Sequence, residues 1–181
     1  KAAVVRRFEP VQADELYGVV PAALYELRGS TFISFARIKE YASFTIKNLF
    51  GLIPDPLRPR WHGYRNATIS QSILDINKIY HALFSVYGIC EALRTTAVID
   101  PQGPYNNLWS GRYRVVRDPG IVAFGRDLVA LDSLLLALTD PDLRGIARLN
   151  RAGVYIADGI LGRSCSAELP ATSRDITAFF A

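Results

Sequence analysis

The stretch from Thr31 to His62 reads TFISFARIKEYASFTIKNLFGLIPDPLRPRWH, and it predicts the centre of the fold. Thr31 to Ala36 is a β-branched and aromatic run, which predicts a strand buried on both faces, as in a parallel sheet. Ser43 to Leu49 predicts a helix that ends before Gly51. Ile53 to Pro59 predicts a proline-rich loop. A strand, a short apolar helix and a basic loop in this order indicate an α/β domain with an anion-binding edge.

The residues before this stretch predict a strand and two short helices. Ala2 to Phe8 reads as a short strand that enters the domain. Asp14 to Leu27 has apolar residues at helical spacing, but Gly18 and Pro21 interrupt it, which predicts two helical pieces with Pro21 in the first turn of the second. Gly29 ends that second piece.

The clearest helix of the chain begins at Thr68. Gln71 lies three residues later and completes a capping-box pattern. The residues that follow predict one apolar stripe, formed by Ile69, Ile73, Ile76, Ile79 or Tyr80, and Leu83.

Thr95 to Ile99 predicts the next strand, and Asp100 opens the long loop PQGPYNNLWSGRYR at 101–114. A polar loop of this length after a strand is where α/β proteins tend to bind ligands. Gly120 to Phe124 predicts a third core strand, and Asp127 predicts the N-cap of a deeply buried helix.

Strands that alternate with helices predict one α/β domain over residues 1–181, with a mostly parallel sheet flanked by helices. Asp142 to Ala152 predicts a further helix. The sequence contains no methionine, so we expect either a fragment or a mature product whose N-terminal portion is missing. We also expect the domain to be part of a larger, two-lobed protein.

The composition is that of a folded domain, with 50% hydrophobic and 21% charged residues, and no apolar run approaches the roughly 20 residues of a membrane span. Arginine supplies 17 of the 21 basic residues, and the net charge is +4. The arginines are scattered and form no run of the kind that nucleic-acid tails carry. We therefore expect no membrane or nucleic-acid partner, and either a small anionic ligand or a solvated basic surface.

Cys90 and Cys165 lie far apart without CxxC spacing. Two cysteines cannot complete a four-cysteine zinc site or an iron–sulfur cluster, so no such cluster is expected within this chain, and its cofactors and metals stay unknown. We expect two buried thiols in a reducing, cytoplasmic compartment.

Four segments together carry a resemblance to a known family: ISFARIKEY at 33–41, IKNLFGLIPD at 46–55, PQGP at 101–104 and GRDLVALDS at 125–133. Over Thr31 to Gly153 the chain resembles the C-terminal half of the family called domain of unknown function 362. The chain departs from the family pattern at four places: Arg37 replaces its first lysine, Tyr41 its histidine and Leu128 its proline, and the aspartate-glycine pair that ends the strand near Arg94 is absent. The resemblance implies a distant relation to nickel-dependent lactate racemase, which is a fold-level analogy. Some family members carry a ferredoxin-like cluster domain.

Lys47 and His62 are the candidate catalytic residues. Lys47 lies in an otherwise apolar helix, where its amine is expected to meet a specific partner, either an anionic ligand or a neighbouring carboxylate. His62 follows Arg58 and Arg60 in the basic loop, and it could act as a base, bind a metal or serve only in packing. His81 on the long helix is expected to be structural.

The candidate ligand-binding residues come from the predicted strand ends and loops, and they are Arg37, Lys39, Arg58, Arg60, Asp100 and Asn106. Asp132 lies inside an apolar helix, where an unpaired carboxylate is costly, so it is expected to meet Lys47 or an arginine.

Two functions fit these residues. The first is an enzyme-like domain in which the strand ends that carry Lys39 and Asp100 converge with Lys47 and His62 on a small carboxylate or phosphate, with a metal optional. The analogy to the racemase implies proton transfer at a carbon next to a carboxylate as the first reaction to test. The second is a non-catalytic module that associates with a missing N-terminal half, a partner subunit or a second copy.

Overall fold

The computed structural model describes residues 1–38, 44–64, 67–93, 95–98, 113–117, 120–137 and 157–163. Its strands are β1 (Thr31–Arg37), β2 (Ser85–Ala92), β3 (Thr95–Val98), β4 (Tyr113–Arg117) and β5 (Ile121–Gly125). Its α-helices are α1 (Ala2–Val5), α2 (Ala22–Glu26), α3 (Thr45–Phe50), α4 (Arg58–His62), α5 (Ile69–Leu83) and α6 (Leu128–Ala137), and a 3₁₀ helix covers Asp14–Val19. Within these ranges, we find no helix of the length and apolarity that a bilayer crossing requires.

The central sheet has the strand order β1-β2-β5. β1 pairs with β2 in parallel, with Phe35 beside Ile89, and β2 pairs with β5 in antiparallel, with Ile89 beside Phe124. β3 and β4 form a separate antiparallel pair. The α/β class is therefore confirmed. The central sheet is mixed, because the β1–β2 pair is parallel, as predicted, whereas the β2–β5 pair is antiparallel.

One face of this sheet packs against α3, α5 and α6. The β2 side chains on that face, Val86 and Cys90, are buried. Gly88 lies between them, where a Cβ atom would be 2.6 Å from the Leu128 side chain and 2.8 Å from that of Leu131. The absence of a side chain at Gly88 thus lets α6 approach the strand closely.

The other face of the sheet exposes large apolar side chains. Ile33 is 55% exposed and Phe35 is 61% exposed, while their strand neighbour Ser34 is fully buried. The expectation that β1 is buried on both faces is therefore wrong. The described helices that contact this sheet pack on the face of Ser34, which leaves the alternate side chains of β1 on the outside.

The long helix α5 forms the centre of the main core. Ile69, Ile73, Ile76, Ile79 and Tyr80 are all buried, which confirms the predicted stripe, while Leu83 is half-buried at its end. The predicted capping box does not form, because Thr68 makes no side-chain cap and its hydroxyl donates instead to the Trp61 carbonyl at 3.2 Å. That bond ties the start of α5 to α4.

The N-terminal segment is helical, so the prediction of a strand at Ala2 to Phe8 is wrong. The N–H groups of Val4 and Val5 donate to the Lys1 carbonyl within one helical turn, and Val4 is buried against the main core. These local bonds satisfy the backbone without a neighbouring strand. The two helical pieces predicted between Asp14 and Leu27 are confirmed, and Gly29 follows them with φ of 88°.

The central strand β2 was not predicted. Thr95 to Val98 does form a strand, as expected, but it pairs with β4 outside the central sheet. The predicted strand near Gly120 is confirmed as β5, and the predicted helix that ends before Gly51 is confirmed as α3. Arg58 begins the short helix α4 inside the predicted loop. The helix predicted at Asp142 to Ala152 lies outside the described residues.

Candidate functional site

The helix α3 carries Lys47, and its N-terminus is held by a buried carboxylate from α6. Asp132 accepts hydrogen bonds from the backbone N–H groups of Phe44 at 3.0 Å, Thr45 at 2.9 Å and Ile46 at 3.1 Å. The Thr45 hydroxyl donates a fourth bond to Asp132 at 2.6 Å. Asp132 thus replaces the side-chain N-cap that Phe44 cannot supply.

These contacts correct the expected partner of Asp132. Its partners among the described residues are backbone and hydroxyl donors of α3, rather than Lys47 or an arginine. Burial raises the pKa of Asp132 to about 6, and the hydrogen bonds from Thr45, Ile46 and Phe44 oppose that rise. Because this carboxylate already occupies the N-terminus of α3, the helix end is closed to an anionic ligand.

Two further side chains fix the rest of α3. Ser34 donates to the Thr45 carbonyl at 2.9 Å, which joins the helix to β1. Asn77 on α5 donates to the Ile46 carbonyl at 2.8 Å, and it is fully buried. The helix is therefore anchored to β1, α5 and α6 at once, and Lys47 projects from a rigid element.

The helix α3, which carries Lys47, contacts the basic segment of α4 through Phe50. Phe50, three residues after Lys47 on α3, packs edge-on against the His62 ring with centroids 5.1 Å apart. Lys47 lies one turn before Phe50 on α3, and its convergence with His62 stays a prediction. Both side chains are half-buried, and both have interactions within the structure.

The two arginines of α4 are paired with exposed carboxylates. Arg58 lies 3.2 Å from Asp55 and also donates to the Ile53 carbonyl at 3.0 Å. Arg60 lies 3.3 Å from Glu15, and its guanidinium lies 5.3 Å from the centroid of the Trp61 ring. Asp55 and Glu15 are 67% and 60% exposed, and ion pairs at such positions contribute only about 0–1 kcal/mol.

Arg37 lies at the end of β1, where it pairs with Glu91 across the parallel ladder. Burial tends to raise the pKa of Glu91, but hydrogen bonds from Arg37 and from the Leu93 N–H, with the charge of Arg37, lower it below its ordinary value. Glu91 is nearly buried and was not predicted as a partner of Arg37. The sequence alone did not indicate this ion pair, because Arg37 and Glu91 become neighbours only when β1 pairs with β2.

Three predicted ligand-binding residues, Lys39, Asp100 and Asn106, lie outside the described residues. Their convergence with Lys47 and His62 therefore stays a prediction. Within the described ranges, no group of three or more histidine, cysteine or acidic side chains is arranged to hold a metal ion.

The two remaining predicted polar positions are structural in character. Asp127 caps α6 by accepting from the N–H groups of Val129 and Ala130, both at 2.9 Å, which confirms its predicted role. His81 is buried, and burial together with the charge of Arg7 lowers its pKa to about 4, against a smaller opposing effect of Asp127. A histidine that stays neutral across the physiological range fits the expected structural role.

The sequence pattern did not reveal the polar contacts that hold α3. Ser34, Thr45 and Asn77 are small polar residues inside apolar runs, and each bonds to a residue at least 11 positions away. The sequence did carry one signal, which is the position of these polar residues in otherwise apolar elements. Polar groups that become buried there need hydrogen-bond partners.

The chain is an α/β domain. Its mixed sheet has helices on one face, and a buried polar network holds the helix that carries Lys47. The chain belongs to the family described as domain of unknown function (DUF362), whose model matches residues 27–137. That match covers β1, α3, α5 and α6, and thus the elements that position Lys47. No curated protein and no solved structure matches the chain.

Proposed function

We propose that the chain binds a small carboxylate or phosphate beside α3 and α4. The observation that carries this proposal is the contact of Phe50 with His62, because it holds the helix of Lys47 against the segment of Arg58 and Arg60. Guanidinium groups bind carboxylate and phosphate in a bidentate manner, and a lysine adds a compact charge.

The arginines can be released to such a ligand at low cost. Asp55 and Glu15 are mostly exposed, so their ion pairs with Arg58 and Arg60 are weak and screened by salt. A ligand carboxylate or phosphate can replace these partners.

We assign proton transfer to Lys47 and His62. One would remove a proton from a carbon next to a carboxylate, and the other would return a proton to that carbon. Solvent deuterium uptake by lactate, followed by NMR, tests this step. Lys47→Gln and His62→Gln should each abolish the uptake if the assignment is right.

Binding itself is tested with Arg60→Gln and a matched control, Arg28→Gln. Arg28 is also an exposed arginine. It pairs with Glu26 at 3.9 Å, and its guanidinium lies 4.6 Å from the centroid of the Tyr25 ring. It follows α2 and is not part of the proposed site. Titration with inorganic phosphate and with lactate, each with and without Mg²⁺ or Zn²⁺, also tests the metal-assisted form. Arg60→Gln should weaken binding several-fold, whereas Arg28→Gln should not. Equal affinities for all three proteins, or no binding to the wild type, would refute the site.

A second candidate function is a non-catalytic interaction module, which the exposed apolar face of the sheet favours. The two candidates separate by experiment, since the module predicts association without anion binding. A reducing, cytoplasmic setting is part of both proposals, in keeping with the buried free thiol of Cys90.

A further inference from the structure

The outer face of the central sheet carries a continuous set of apolar side chains. The strand register aligns Phe35, Ile89 and Phe124 in one row across β1, β2 and β5. Ile33 lies beside Tyr87 in the next row. Phe124 is 80% exposed, Phe35 is 61% exposed and Ile33 is 55% exposed.

This face is comparable in area to the largest apolar patch of a typical monomer, and such a patch is often functional. Ile33, Phe35, Val122 and Phe124 together expose roughly 500 Å², given that an aromatic side chain buries about 150–250 Å² when fully covered. Contiguous patches beyond a few hundred Å² mark interaction sites.

Polar groups flank the apolar row on both sides along the strands. The Arg37–Glu91 pair lies at one end, and Arg126 lies 5.0 Å from the Tyr87 ring centroid at the other. An apolar centre with a polar rim is the usual anatomy of a protein interface.

We propose that the chain forms a two-fold dimer in which this sheet face stacks on the same face of a second copy. Two such faces would bury on the order of 1,000 Å² from the four side chains alone, which reaches the area that a specific interface needs. Stacked sheets pack about 10 Å apart with interdigitated side chains, as apolar rows of this kind allow. A two-fold dimer also uses one surface twice, so it needs no second patch.

The test is the molar mass of the 181-residue chain, measured by light scattering and sedimentation over a wide concentration range. The wild type should have twice the chain mass. Phe124→Asp places a charge in the apolar row and should give a monomer, and Ile33→Lys should do the same from β1. Leu27→Asp is the matched control, because Leu27 is 59% exposed at the end of α2, outside the sheet.

Each outcome decides the proposal. A monomeric wild type at all concentrations overturns it, as does a Phe124→Asp protein that remains dimeric or a Leu27→Asp protein that becomes monomeric. Circular dichroism checks that each variant is folded, and if Phe124→Asp fails to fold, Ile33→Lys decides alone. The dimer is independent of the anion site, so Arg60→Gln should leave it intact.

Discussion

The hydroxyl of Thr45 donates to Asp132 at 2.6 Å, and the Thr45 N–H donates to the same carboxylate oxygen at 2.9 Å. The two residues are 87 positions apart, and their contact joins the start of α3 to the middle of α6. Asp132 also accepts from Phe44 and Ile46, so one buried carboxylate orders the whole first turn of the helix that carries Lys47.

Asp132→Ala should therefore destabilise the fold strongly. It leaves the N–H groups of Phe44, Thr45 and Ile46 without that acceptor in the core, which costs roughly 3 kcal/mol or more. Ser133→Ala is the matched control, because Ser133 bonds only to the Val129 carbonyl of its own helix among the described residues, and about 1 kcal/mol or less is expected. Urea denaturation measures both, and similar losses for the two variants would contradict the role of Asp132.

Stability should depend on pH through two opposed buried groups. His81 has a native pKa of about 4 against an ordinary value of 6.5, so between those values the unfolded chain binds more protons and stability rises with pH. Asp132 has a native pKa of about 6 against 3.8, so in its window the native state binds more protons and stability falls with pH.

Removal of either group should expose the contribution of the other. In the His81→Gln variant only Asp132 contributes to the pH dependence of stability between pH 4 and 6 out of these two groups. The free energy of unfolding of this variant should therefore fall relative to that of the wild type as the pH rises from 4 to 6. Asp132→Asn should show the reverse slope relative to the wild type. Denaturation midpoints over this range measure both slopes, and parallel curves for all three proteins would rule out the assignment.

Gly88→Ala should destabilise the contact of β2 with α6. The added Cβ would lie 2.6 Å from the Leu128 side chain, 2.8 Å from Leu131 and 3.1 Å from Thr45, so these side chains must move. Overpacking of this kind costs about 1–3 kcal/mol. Gly18→Ala is the control, since no atom of the described residues outside its own segment lies within 4 Å of its added Cβ. If thermal melts show equal effects at the two glycines, the close approach of α6 is not needed.

Cys90 should resist alkylation in the native protein. Its side chain is fully buried, and burial together with the charges of Asp132 and Glu91 raises its pKa to about 12, so the reactive thiolate is scarce. Iodoacetamide treatment followed by peptide mass spectrometry should modify Cys90 only in denaturant. Leu27→Cys supplies an exposed comparison thiol at a position that is 59% exposed. Rapid native labelling of Cys90 would contradict its burial.

The elements that the sequence revealed were those with strong local signals. The stripe of α5, the end of α3 before Gly51 and the cap of α6 at Asp127 each depend on residues within a few positions of one another. The strand β2 was missed although Val86, Tyr87 and Ile89 form an apolar run, because it follows α5 after a single residue, Phe84. Without a turn signal, a short apolar run does not separate from the helix before it.

The candidate site was predicted only in part, for the same reason. The basic character of Lys47, Arg58, Arg60 and His62 is a property of the sequence. Their partners are not, since Arg60 meets Glu15 across 45 positions and Arg37 meets Glu91 across 54. Such pairs depend on how elements pack, and no local spacing encodes them.

The sequence by itself determined the α/β class, the family and the positions of most of the elements, because helical periodicity, caps and glycine stops act over one or two turns. Only the tertiary structure decided that Asp132 caps α3 and that Phe35 and Phe124 share an uncovered face. The physical reason is that long-range hydrogen bonds and strand register are fixed by packing, where one residue of slip turns a buried face outward.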